Sequence, residues 1–207
     1  MPRIDTMSLG DNQTNCYIVW EDGGRACVLI DPGYEPEVIL RRVAELGLEV
    51  AAVALTHGHF DHVGGVPQIA ERTRCPVWIG EADFVRPTNP VLAYLFPLRK
   101  GASLPVSFYR PGEPLLAAGL TFTVYETPGH TAGSVCLKCG SALFTGDTLF
   151  RGSHGRTDLP GGSRAAMGQS LEFLKNLEFS GSFYPGHGPG GDFSLEKQDN
   201  VYLRGNI

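Results

Sequence analysis

Along the first third of the chain, apolar residues fall in short runs separated by turn clusters. Thr14 to Trp20 and Ala26 to Ile30 are rich in β-branched, apolar and aromatic residues. They are bounded by Asp11-Asn12-Gln13 and Glu21-Asp22-Gly23-Gly24, and predict two strands. From Glu35 to Leu46 the pattern changes period: Ile39, Val43 and Leu46 recur at helical spacing, Arg41, Arg42 and Glu45 lie opposite, and Gly47 predicts the stop. Val50 to Leu55 is nearly all apolar, the signature of a strand buried on both faces. A short helix over Val66 to Arg72 and a strand over Pro76 to Ile79 follow. Three prolines then interrupt an apolar stretch, and Pro87 to Gly101 is expected to be a loop or lid.

Strands return over Leu120 to Glu126, Ser134 to Lys138 and Ala142 to Thr145. Ser163 is the expected N-cap of a helix to Leu177, with Met167, Leu171, Leu174 and Leu177 on one face. Phe183-Tyr184 predicts a short strand, and Ser194 a cap for a last helix to about Leu203. Both halves run strands first and helices after, without a detectable repeat, which predicts sheets layered with helices.

At 207 residues, 42% of them apolar, the chain is expected to be one soluble globular domain spanning 1–207. The formal charge of −5 and the lack of any basic block argue against nucleic-acid binding. No apolar run reaches membrane-spanning or signal-peptide length, so a cytoplasmic protein without membrane association is expected. The odd set of Cys16, Cys27, Cys75, Cys136 and Cys139 has no disulfide-framework spacing. Cys136-Leu-Lys-Cys139 invites a zinc or redox reading, but it lies on a predicted strand running into a hairpin, where positions three apart face opposite sides. Small core or edge residues are the better expectation.

The histidines are not scattered. Five of the six sit in loops directly after predicted strands: His57-Gly-His59-Phe-Asp61-His62, His130 in Pro128-Gly-His-Thr-Ala-Gly-Ser134, and His187 in Pro185-Gly-His-Gly-Pro189. Asp147 follows another strand. The H-x-H-x-D-H run alone arises by chance in roughly 2 of 10,000 such chains. Imidazoles so concentrated would be unpaired if buried, whereas on a cation each is satisfied on one nitrogen and can donate from the other. Five imidazoles and two carboxylates exceed one tetrahedral zinc but suit two metals sharing a carboxylate and a solvent oxygen.

Leu55-Thr-His-Gly-His-Phe-Asp-His-Val-Gly-Gly65, followed by the His130 segment, Gly146-Asp147 and the His187 segment, resembles the metallo-β-lactamase superfamily over nearly the whole chain. Gly146-Asp-Thr-Leu-Phe-Arg-Gly-Ser-His-Gly-Arg-Thr-Asp-Leu-Pro160 is similar to the short bacterial glyoxalase II-like hydrolases. The resemblance implies an α/β fold, a four-layer αββα sandwich with metals along one edge. It implies His57, His59 and His130 on a first divalent ion, Asp61, His62 and His187 on a second, and Asp147 bridging them. Zinc is expected, with iron or manganese as alternatives. The implied reaction is attack of metal-bound hydroxide on a small-molecule thioester of the S-D-lactoylglutathione type, with Asp61 and Asp147 as the catalytic carboxylates. A thiol with a pKa near about 8.5 leaves as thiolate with little acid assistance.

Arg156 is the expected substrate-carboxylate anchor, and a structural arginine paired with Asp158 the alternative. Arg99 and Lys100 are weaker candidates. Asp31 would support the metal loop or simply form the Asp-Pro-Gly turn. His154 is expected at the mouth or surface. Only twenty residues follow His187, so the longer C-terminal helical region that helps typical glyoxalase II hold glutathione is expected to be absent. The rival activities are a mononuclear iron persulfide dioxygenase and a lactonase, and the non-enzymatic rival is a metal-binding protein on the same scaffold. The hydrolase-like Pro185-Gly-His-Gly-Pro189 loop favours hydrolysis.

Overall fold

The computed structural model describes residues 2–84, 95–97 and 104–205. A first mixed sheet runs, in spatial order, β1 (Pro2–Leu9), β2 (Thr14–Glu21), β3 (Ala26–Ile30), β4 (Glu49–Ala54), β5 (Val77–Ile79) and β6 (Val106–Phe108). The first three strands are antiparallel, and β3 through β6 are parallel. The second sheet holds β7 (Leu115–Ala117), β8 (Leu120–Glu126), β9 (Val135–Cys139) and β10 (Ala142–Gly146). It continues through β13 (Ser182–Pro185), parallel to β10, to β14 (Gly191–Asp192). A small hairpin of β11 (Leu149–Phe150) and β12 (Ser153–His154) stands apart.

Strand alternation sorts the apolar residues into three cores and makes the layers. Tyr17, Val19, Val28, Ile30, Ala52 and Ala54 of the first sheet meet Phe122, Leu137 and Phe144 of the second between the sheets. The alternate residues, Cys16, Ile18, Leu29, Val53, Val77 and Ile79, pack outward. They meet Ile39 and Val43 of helix α1 (Pro36–Glu45) and Val66 and Ile69 of α3 (Val66–Thr73), which follows the single turn α2 (Phe60–Val63). On the far side, Cys136, Leu143 and Phe183 pack against Met167, Leu171 and Leu174 of α4 (Arg164–Asn176). Phe193 of α5 (Phe193–Asp199) and Leu203 of α6 (Val201–Arg204) complete that layer. The result is the expected αββα sandwich.

Ser163 caps α4, its Oγ accepting from Ala166 N at 3.2 Å. Gly47 takes φ +70° at the end of α1 and donates to Ala44 O, the left-handed exit that favours glycine. The last helix differs from expectation. Asp192, not Ser194, caps it, accepting from Leu195 N at 2.9 Å. It also breaks at Asn200, whose side chain caps α6 and donates to Phe150 O and Ser153 O of the β11–β12 hairpin. β1 escapes the hydrophobic pattern because it is a half-exposed edge strand carrying Arg3 and Asp5, as edges often do. The Pro87–Gly101 expectation, with Arg99 and Lys100, falls outside the described residues except at 95–97. Among the described residues, no helix is long and apolar enough to cross a membrane.

Cys136 points into the outer core and Cys139 into the inter-sheet core, so the pair faces opposite sides of β9. All five thiols are free and buried, and burial pushes Cys136 up to about 12 and Cys139 up to about 11. The folded protein is therefore expected to resist a water-soluble disulfide reagent at neutral pH, with all five thiols reacting on unfolding. A thiol count with and without denaturant checks this.

Candidate metal centre

The strand ends at one edge of the sandwich deliver every side chain of interest. β3 runs into Asp31, β4 into Thr56, His57 and His59, and α2 adds Asp61 and His62. β8 leads to His130, β10 to Asp147 and β13 to His187. β3 and β4 are parallel, as are β10 and β13, so their C-terminal ends open on the same edge, where α/β folds place ligand groups.

All seven residues singled out by the motif come together. His59 Nδ1 and His130 Nε2 lie 2.8 Å apart. His62 Nε2 and His187 Nε2 lie 3.3 Å apart, and Asp61 Oδ2 is 3.3 Å from His187 Nε2. Asp147 stands between these groups, Oδ1 3.4 Å from His62 Nε2 and Oδ2 3.3 Å from His130 Nε2. The ligand atoms of His57, His59 and His130 lie within 4.8 Å of one another, and so do those of Asp61, His62 and His187.

Four of the five rings have an acceptor behind the outer nitrogen, whereas His59 Nε2 is buried with no hydrogen-bond partner. His62 Nδ1 meets Asp31 Oδ2 at 2.8 Å, His130 Nδ1 meets Arg156 O at 2.8 Å, and His187 Nδ1 meets Asn12 O at 3.0 Å. Each partner can only accept, so each of these Nδ1 atoms carries a hydrogen and each Nε2 is the atom turned toward the centre. Thr56 Oγ1 donates to Asp31 Oδ2 at 2.5 Å, which turns its own lone pair toward His57 Nδ1 at 3.2 Å. His57 Nε2, buried, has no hydrogen-bond partner, and neither has Asp147 Oδ1. Buried nitrogens and a carboxylate oxygen without hydrogen-bond partners thus lie among converging ligand atoms, where a cation would satisfy them. The residues fit two divalent ions.

Charge separates the two trios. Burial, and then His62 and His130, hold His57 well below its usual value. Burial and His130 lower His59 to about 3. Both imidazoles are neutral and ready to ligate. Burial opposes charge on His62 as well, but Asp147 and Asp31 outweigh it and raise that ring to about 9. At Asp61, burial is outweighed by His187 and His62, which hold the carboxyl well below the usual range.

Four supporting residues were not legible as site residues. Asp83, in the 3-10 turn Glu81–Phe84, accepts from Gly58 N, Gly133 N and Thr131 Oγ1 at 2.6–2.8 Å and ties the His57-Gly-His59 loop to the His130 loop. Asn12 donates to Asp61 Oδ2 at 3.2 Å while its carbonyl backs His187. Asn15 Nδ2 and Tyr17 Oη donate to Pro185 O, and Asn15 N donates to Gly186 O, clamping the His187 loop onto β2. Asp31, 1% exposed, takes the supporting role rather than that of a plain turn former. Gly186 is required by close approach: a Cβ there would stand 2.2 Å from Asp147 Oδ1 and 2.6 Å from His62 Cε1.

The centre opens into a cavity of about 550 Å³ whose walls include Phe60, Leu95, Phe150, Arg156 and Leu159. Arg156 lines it, yet its Nε and Nη2 both reach Asp158, at 2.8 and 2.7 Å. His154 lies away from that wall, edge-on to Tyr202 at 4.4 Å.

A family model of the metallo-beta-lactamase superfamily matches residues 9–192. The chain is 35% identical to the hydroxyacylglutathione hydrolase GloC of Haemophilus influenzae, over 97% of this chain and 98% of that one. Among solved structures it resembles TTHA1623 in a di-iron-bound form, with 37% identity, a TM-score of 0.79, and 96% of this chain and 100% of that chain covered. It also resembles ETHE1 from Myxococcus xanthus, with 30% identity, a TM-score of 0.80, and coverage of 96% and 83%.

Two outcomes follow for metal binding. Removing the acceptor behind His62 and Thr56 in Asp31→Ala should weaken metal retention about 10- to 100-fold, with Asp31→Asn intermediate, measured by competition against a chelator. A metal entering the Asp61-His62-His187 trio must displace the His62 proton, held up to about pH 9. Affinity there should rise with pH up to about that value and fall below it, while the trio with neutral His57 and His59 loads at lower pH. Bound metal per chain, counted at pH 6 and pH 9 with limiting metal, reads the difference.

Proposed function

Because this chain belongs to the metallo-β-lactamase superfamily, we propose that it is a dinuclear metal-dependent hydrolase cleaving the thioester of an S-acylated small thiol. The observation that carries this reading is the set of ring nitrogens and carboxylate oxygens converging from two trios with Asp147 between them. His57, His59 and His130 would hold one ion, Asp61, His62 and His187 the other, and Asp147 both. Two such ions supply a water ionised near neutral pH and a polarised carbonyl.

The rest falls to the chain's own groups. Asp31, Asn12 O and Arg156 O hold the outer nitrogens of His62, His187 and His130, so the inner nitrogens of those rings are the ones that would ligate. Phe60, Leu95, Phe150 and Leu159 give the cavity apolar walls. Arg156 anchors a polar group of the substrate. Once the histidines and aspartates are committed to metal, the remaining described lining residues are Asn12, these four apolar side chains and Arg156, none of them a proton donor suited to neutral pH. An amine leaving group would need such a donor. A thiol, with a pKa near about 8.5, departs as thiolate without one, and this supports a thioester over an amide. The GloC relative, a hydroxyacylglutathione hydrolase by name, supports the same class.

The second trio favours two ions over the single iron of a persulfide dioxygenase. The expected result is about two metals per chain by elemental analysis and thioester cleavage that a chelator abolishes and added metal restores. Asp147→Ala should lower kcat at least about 100-fold with the circular dichroism spectrum unchanged. One iron per chain, with oxygen consumed on a persulfide and no thioester cleaved, would overturn the proposal.

A further inference from the structure

Among the described residues of the cavity wall, Arg156 is the cation, and its fork is already engaged. Nε and Nη2 donate in parallel to the two carboxylate oxygens of Asp158, the same bidentate geometry a substrate carboxylate would need. Asp158 lies two residues along the same loop, so it is at hand before any substrate arrives, with the advantage of an intramolecular partner. Arg156 in turn holds the Asp158 carboxyl down to about 2, which keeps it charged at any working pH. Both side chains are well exposed, at 61% and 67%, so the pair can be exchanged. It biases the site without blocking it.

A substrate carboxylate must therefore displace Asp158 and then sit beside the charge it displaced. A neutral acceptor, such as a carbonyl or hydroxyl oxygen, needs only the guanidinium N–H groups that Asp158 leaves free. The other walls, Phe60, Leu95, Phe150 and Leu159, offer apolar contact and no compensating charge. We infer that this site prefers S-acyl thiols bearing no carboxylate within reach of Arg156, and that Asp158 is the specificity-determining residue that sets the preference. The inference rests on the thioesterase reading above and names the substrate class within it.

Three thioesters test it on metal-loaded protein: S-acetyl-N-acetylcysteamine, which is neutral; S-succinyl-N-acetylcysteamine, with a carboxylate on the acyl arm; and S-acetyl-3-mercaptopropionate, with one on the thiol arm. The wild-type chain should show its highest kcat/KM on the neutral ester. Asp158→Asn should raise the anionic-to-neutral ratio of kcat/KM about two- to fivefold for the ester whose carboxylate reaches Arg156, chiefly through KM. Adding Arg156→Gln should cancel that gain, and Asp158→Glu should restore the neutral preference. A wild-type preference for either anionic ester, or an Asp158→Asn ratio that does not move, would overturn the inference while leaving the thioesterase reading intact. Failure of fully metal-loaded protein on all three esters would remove both, and so separates the two failures.

Discussion

The fold turns on one electrostatic constraint: a buried cluster of imidazoles must be held with one nitrogen of each ring turned inward. Burying so many ring nitrogens costs desolvation, which contacts such as His59 Nδ1–His130 Nε2 offset only in part. The structure meets this by placing acceptors behind the rings, Asp31 behind His62, Arg156 O behind His130 and Asn12 O behind His187. Those acceptors sit in different loops, so the constraint spreads through the molecule. The parallel pairs β3–β4 and β10–β13 bring the loops to one edge, and the three apolar cores hold the strands that carry them.

Much of this was legible in the chain. The seven inward residues carry their own signal, because histidines placed directly after strands are costly unless they share a ligand. The buried strand at Val50–Leu55, the helix of α1 and the Ser163 cap follow from periodicity and capping chemistry that act over a few residues. What sequence reasoning missed acts over long separations. Asp83 is one of two acids after a short strand, and its partners Gly58 and Gly133 lie 25 and 50 residues away. Nothing local distinguishes it from a turn former. Asn12 sits in a turn cluster whose composition already explains it, so its second task leaves no trace in the pattern.

The last helix shows the same limit at smaller scale. Ser194 has the composition of a cap, yet Asp192 takes that place, and Asn200 breaks the helix because its amide is needed elsewhere. Asn200 is fully buried, and with Glu196, which accepts from Gly152 N at 2.7 Å, it fixes the β11–β12 hairpin. That hairpin sets Phe150 against His187, and the chain leaving it supplies the carbonyl behind His130. A polar interruption in a C-terminal helix thus has its effect at the metal centre.

The clamp between β2 and the His187 loop joins residues 170 positions apart, Asn15 and Pro185. Contacts of such high order carry a large loop-closure cost, which the two sheets between them help to offset. A ribosome-bound chain that has exposed only its first sheet already owns the His57-to-His62 run but lacks the partner rings. The Asp61-His62-His187 trio therefore comes together only once segments from both halves of the chain have met.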